Sequence, residues 1–387
     1  MSLPSLIFPI IIYLIAYLTG YLLYSRYKIE TTSGRYETID GLRGFLALGV
    51  FIHHAYIWYF FIHQGAWTSP KLYVYNQLGQ TSVALFFMIT SFLFVSKLIQ
   101  SREKPFDWVY FFTSRICRLV PMYYVSLLLL VIVVMQVSHW KLNVSIGEFL
   151  VSLFHLAAFT ITTSPMLNAC EETFRINSGV IWSLPFEWLF YFSLPIISLF
   201  LLKVKPSKFF LLISFLFILF YTLAHGVKIH HLISFGGGAV TPFLMKFPWV
   251  VKIARSHYCS VIVIACLFVI TLFPTSDKIG CKLAIITLFN IVALGNSIFG
   301  ILKNNILKFL GEMAYSTYLL HGLLLFTVIQ LGIGLEKMKG FTSVEYALLI
   351  FSITPIVVLL SFFGFKYVEK PFMNQSKKIS RYFQPNK

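Results

Sequence analysis

Arg43 and His54 stand eleven residues apart in DGLRGFLALGVFIHHA (40–55), a stretch that is otherwise mostly apolar. On an α-helix that spacing is three turns and about 16.5 Å of rise, so the two side chains share one face, with Ala47 and Val50 on the same stripe. Histidine, with an unperturbed pKa of about 6.5, can accept and return a proton near neutral pH. Ionisable groups at membrane depth are costly and usually face a protein interior or a water-filled path. His54 therefore reads either as a proton-transfer group or as a buried neutral histidine bonded to a neighbouring helix. His53 points about 100° away from the Arg43 stripe and ranks below it.

Other residues carry chemistry of their own. Arg115 and Arg118 are three apart and share a helical face. Guanidinium groups suit bidentate phosphate contacts; simple retention of a positive loop on the inner side explains the sign of the charge but does not require this spacing. Glu187 is nearly the only acidic residue that falls inside an apolar run, and such a group needs a charged partner or a polar ligand. Trp182 and Tyr191 fit the aromatic belt of a membrane interface. Glu369 reads as a salt-bridge partner for an inner arginine. His321 falls thirteen residues into its own apolar run. No HExxH or similar ligand spacing appears, so no metal is expected. The five cysteines have no close pairing or metal spacing.

The elements that position these groups are long and greasy. The 387 residues are 58% hydrophobic, 18% aromatic and only 12% charged, against about 25% charged in soluble domains. The apolar material comes in runs of about 17–23 residues, long enough to cross a hydrocarbon core about 30 Å thick. The chain is an all-α polytopic integral membrane protein. Spans are expected at about 4–24, 42–62, 78–99, 119–138, 184–202, 209–225, 232–250, 257–273, 283–302, 309–331 and 343–365. The Gly236–Gly237–Gly238 run is expected to loosen or break its helix. Residues 147–164 are expected to dip in or lie at the outer surface, and 165–181 to form an outer loop.

With eleven spans and the 26–35 loop inside, 23 of the 31 basic residues fall on the cytoplasmic side. Among them are Lys28, Arg35, Arg102, Lys104, Lys203 and Lys205 between spans, and Lys366 to Lys387 at the end. The expected orientation is N-terminus out and C-terminus in, in the cytoplasmic membrane. The formal net charge of +17 thus reports topology and not nucleic-acid binding. No internal repeat, P-loop or GxGxxG is present.

Several motifs, in order, resemble those of the acyltransferase family 3 membrane proteins. DGLRGFLALGVFIHH matches the opening motif, in which an arginine precedes a histidine by eleven positions. LGQTSVALFFMITSFLF (78–94) is similar to the second span, with Ser91 in place of a usual glycine. FFTSRICRLVPMYY (111–124) matches at Arg115 and Arg118, with Ser114 where another arginine is common. VIWSLPFEWLFYF (180–192), LGEMAYSTYLLH (310–321) and KYVEKPF (366–372) complete the series. The resemblance covers about 38–372. It implies an acyltransferase domain over 38–372, preceded by an extra span and cytoplasmic linker (1–37) and followed by a basic cytoplasmic tail (373–387).

The resemblance further implies a membrane O-acyltransferase. The donor is acyl-CoA, with acetyl-CoA expected, used as a co-substrate with no permanently bound cofactor. The acceptor is a hydroxyl of a cell-envelope polysaccharide or lipid-linked sugar, and membrane lipid surrounds both. In that scheme His54 is general base or acyl carrier, and Arg43 orients the thioester or meets a phosphate. His321 is a second acid/base group or a structural partner. Arg115 and Arg118 hold the CoA phosphates, and Glu187, Trp182 and Tyr191 lie toward the acceptor. The rival from another class is a multi-span transporter or flippase for a lipid-linked sugar, which internal inverted symmetry would favour.

Overall fold

The computed structural model describes residues 6–27, 36–101, 106–201 and 206–384, with the side chain of residue 201 left out. Lys28, Arg35, Arg102, Lys104, Lys203, Lys205 and Lys387 lie outside the described residues. Among the described residues every regular element is helical. The first four long helices are α1 (Ile7–Tyr27), α2 (Glu37–Gln64), α3 (Tyr73–Gln100) and α4 (Trp108–Val137). Short pieces follow, α5 (Ile146–Ala157) and α6 (Thr173–Ile176), then α7 (Leu184–Leu201) and α8 (Lys208–His225). The chain continues through α9 (Ile229–Leu244), α10 (Pro248–Ala254), α11 (His257–Thr271) and α12 (Ile279–Ala293). The last elements are α13 (Asn305–Glu312), α14 (Ala314–Phe326), α15 (Leu335–Lys339), α16 (Ser343–Gly364) and α17 (Lys370–Tyr382).

Local chemistry sets many of the ends. Glu37 and Asp40 occupy the first turn of α2, where the helix dipole favours negative charge. Gly65 closes α2 in the left-handed conformation, its N–H reaching the Phe61 carbonyl. Asp107 caps α4 by accepting from the Tyr110 N–H at 2.9 Å. Thr342 and Glu345 form a reciprocal capping box at the start of α16.

Among the described residues, eight helices are long and apolar enough to cross a membrane, or nine if α10 and α11, bent by 66°, form one span. Two of the eleven expected spans are shorter. α9 has 16 residues and α12 has 15, or about 24 and 22 Å of rise, less than a hydrocarbon core of about 30 Å. α5, at 12 residues, is shorter still.

The triglycine run does not break α9, as its sequence had suggested. The helix runs through it and ends at Leu244. A Cβ on Gly238 would lie 2.1 Å from the Met88 carbonyl oxygen of α3, so the missing side chain lets two backbones touch. Packing recovers what the glycines forfeit in helix propensity.

α2 is the most enclosed span and α8 the least. α2 meets α13 and the 301–303 turn ahead of it by the same device. Cβ atoms on Gly41, Gly44 and Gly311 would lie 2.0, 2.5 and 2.0 Å from the carbonyls of Leu302, Leu307 and Asp40. The two glycines flanking Arg43 are thus packing residues. α1 lies outside this layer, with Tyr13 donating to the Phe45 carbonyl at 3.2 Å and Phe8 5.6 Å from Phe351.

Candidate active site

α2 and α14 bring His54 and His321 together. His54 Nδ1 lies 3.0 Å from His321 Nε2, and the rings stack at 5.1 Å. His321 is fully buried and its Nδ1 is 2.9 Å from the Thr317 carbonyl. A carbonyl only accepts, so His321 carries its proton on Nδ1 and presents a bare Nε2. His54 then donates from Nδ1 to that atom, sharing the proton with the Val50 carbonyl at 3.1 Å. The tautomers follow from this network. They leave His54 Nε2 with a lone pair and no hydrogen-bond partner among the described residues. The His54 side chain retains accessible surface.

His53 makes a separate bond, Nδ1 to the Tyr75 carbonyl at 2.8 Å, and packs on Gly79. It is held as a structural residue. His321 is tied to the 180–183 turn through Tyr318. The Tyr318 hydroxyl donates to the Val180 carbonyl at 2.8 Å and accepts from Ser183 at 2.8 Å.

Three arginines gather together. Arg43 lies 3.8 Å from Asp40 and within electrostatic reach of Arg118. Arg118 pairs with Glu369 at 2.7 Å, and it also meets Met373 Sδ at 3.0 Å. Glu369 is fully buried and accepts from Ser316 as well. The salt bridge expected for Glu369 is therefore present, and it commits Arg118 to holding α4 against the α16–α17 junction. Arg115 differs. Its guanidinium lies 4.7 Å from the Phe94 ring, and no carboxylate stands within ion-pair distance among the described residues.

The residues expected on the acceptor side separate. Tyr191 donates to Glu187 one turn away, and its ring meets Phe94 edge-on at 5.4 Å. The Glu187 carboxyl feels Arg115, Arg118 and Arg43. Glu187 and Tyr191 thus belong with the arginines and not at an outer end. Trp182 lies elsewhere, 5.2 Å from His231 and 5.9 Å from Phe186, and it is 40% exposed. Trp182 and Tyr191 do not share a surface.

A polar cluster went unnoticed in the sequence. Glu172 Oε1 accepts from Arg175 at 2.9 Å and from Gln330 at 2.6 Å. The second oxygen of Glu172, the Gln330 Oε1 and the Trp58 indole nitrogen are buried without a protein partner. Trp58 is one turn beyond His54 on α2, and Arg175 stacks 4.3 Å from Phe61 on the next turn. Gln330 reaches Glu172 from a π-helical segment, Thr327–Ile333. Such segments occur mostly as single turns, often at functional sites, and leave no mark in residue periodicity.

Comparisons with known proteins place the chain by family. The family model described as an acyltransferase domain matches residues 36–365. The chain is also similar to nodulation protein 10 of Rhizobium leguminosarum bv. viciae, 25% identical over 183 residues. That alignment covers 43% of this chain and 46% of the relative, so the chain spans under half of that protein's length. No solved structure matches.

Proposed function

The chain belongs to the acyltransferase family whose domain fills residues 36–365, and from that premise we propose a membrane O-acyltransferase acting from cytoplasmic acyl-CoA, acetyl-CoA in particular. The acceptor is a hydroxyl of a cell-envelope polysaccharide or lipid-linked sugar. The observation that carries this reading is the oriented His54–His321 pair, with His54 Nε2 left bare.

In this mechanism His54 Nε2 takes the acceptor proton as the alcohol oxygen attacks the thioester carbonyl. The tetrahedral intermediate collapses, the C–S bond breaks, and CoA leaves as a thiolate that recovers the proton from His54. His321 is a positioning residue, because its Nε2 lone pair keeps the His54 proton on Nδ1. A general base of this kind contributes roughly 10²–10⁴-fold. Arg115 meets the donor phosphates, since no carboxylate stands within ion-pair distance of it among the described residues, and Arg43, itself in the arginine cluster, shares a helical face with the histidine. The 16.5 Å or so of helix between them suits an extended pantetheine arm. Glu187 and Tyr191 hold Arg115 in place. The orientation that serves this scheme has the N-terminus outside and the C-terminus in the cytoplasm.

The test uses purified full-length protein in vesicles with radiolabelled acetyl-CoA and envelope glycan from cells lacking the gene. Label transferred to the glycan with release of CoA supports the reading. Movement of a lipid-linked sugar across the bilayer without CoA release identifies the transporter or flippase instead.

A further inference from the structure

A cavity of about 480 Å³ opens between α3, α7, α8 and α9, within the range of about 300–1,000 Å³ usual for ligand pockets. Its walls are almost wholly apolar, Phe186, Phe190, Ile218, Leu232 and Ala239 among them, and Lys228 stands at its rim. Val227 is 57% and Leu232 46% exposed, so the mouth faces outward between α8 and α9, where lipid surrounds a membrane protein. Phe186, Phe190, Ser193 and Ile197 recur at helical spacing and form one wall. Glu187 and Tyr191 are about 100° round the same helix. The groove and the arginine cluster therefore share α7 as their partition.

The rim is basic. His230 Nε2 lies 3.1 Å from His231 Nε2, and Lys228 and Lys282 are both within electrostatic reach of His231. Lys282 is buried and bonds Ser234 at 3.1 Å, with the half-exposed Asp277 3.9 Å away. The Lys228 ammonium at the mouth, with the imidazoles of His230 and His231 and the ammonium of Lys282 as further N–H donors beside it, matches a ligand with an anionic head and a hydrocarbon chain. The rim also connects to the reacting histidine. His231 contacts Trp182 at 5.2 Å, the adjoining Ser183 bonds Tyr318 at 2.8 Å, and the Tyr318 ring is 6.3 Å from His321.

Resting on the acyltransferase reading above, we propose that the acceptor enters sideways from the bilayer as an amphiphile. Its chain occupies the α7–α9 groove. Its phosphate-type head sits at Lys228, His230, His231 and Lys282. The hydroxyl-bearing part extends past Trp182 and Ser183 toward His54.

The probe is a diazirine-bearing polyprenyl phosphate, offered to the full-length protein in phosphatidylcholine vesicles, with the uncharged polyprenol as its partner probe. Saturable photolabelling within 186–239 by the phosphate, several-fold above the alcohol, is expected. Gly236→Trp should abolish it, since a Cβ on Gly236 meets nothing within 4 Å and a large ring there fills the groove. Gly236→Ala should retain labelling, and Lys228→Gln should weaken it several-fold while melting as the wild type does. Equal labelling by both probes, labelling unchanged in Gly236→Trp, or full displacement by phosphatidic acid would overturn the proposal, the last marking a general anionic-lipid site. Labelling is read without turnover. A failure of acetyl transfer in the wild type would count against the acyltransferase reading alone.

Discussion

A histidine serves as a base only if its other nitrogen is spoken for. At His54 that role falls to His321, itself locked by the Thr317 carbonyl. His54→Ala should lower transfer by about 10²–10⁴-fold with the melting temperature nearly unchanged, measured as acceptor-dependent CoA release. Activity within twofold of wild type would remove His54 from the chemistry. His321→Ala should lower kcat with little change in KM for acyl-CoA, and partial recovery in His321→Gln, whose amide oxygen can accept the His54 proton, would separate positioning from bulk packing. Arg115 and Arg118 should behave differently, although the sequence presents them as a pair. Arg115→Ala should raise KM for acyl-CoA several-fold without lowering the melting temperature. Arg118→Ala should leave the buried Glu369 carboxylate unpaired, at a cost of about 3–5 kcal/mol in stability. Equal effects of the two substitutions on KM would return both arginines to phosphate binding.

Among the elements, the close glycine contacts decide how near the helices come. Gly41 lets α2 touch the 301–303 turn, Gly44 lets it touch α13, and Gly238 lets α9 touch α3. Gly41→Ala should cost about 1–3 kcal/mol, because its methyl group meets the Leu302 backbone and not a flexible side chain. Gly236→Ala, two residues from Gly238 but facing open space, should be neutral or slightly stabilising. Thermal unfolding of the detergent-solubilised protein separates the two cases. Equal stability of all these variants would show that the helices can part without penalty. The same close approach places Arg43 beside the end of α13 and α4, where Arg118 also lies.

At the scale of the whole molecule, orientation becomes testable. Reporter fusions after residue 384 should be active only in the cytoplasm, and fusions ahead of residue 6 only outside. Termini on the same side would overturn the proposed arrangement and point to eight crossings with α10 and α11 re-entrant. The charge bias that suggested the orientation is a property of the whole chain, since no single loop decides it.

What the sequence determined by itself is local or additive. Apolar length set the all-helical membrane class. The eleven-residue interval placed Arg43 and His54 on one face, because three turns of helix follow from backbone geometry alone. Ordered motifs supplied the family. The tertiary structure decided everything that depends on which helix meets which. The partner of His54 is 267 residues away and the partner of Arg118 is 251 residues away, and no periodicity links such positions. Glu187 and Tyr191 joined the arginines through the face they occupy around α7, while Trp182, in the 180–183 turn ahead of it, turned to His231. The triglycine run read as a weak point because propensity is counted along one chain. Its close contact with α3 belongs to two chain segments at once, and only packing supplies it.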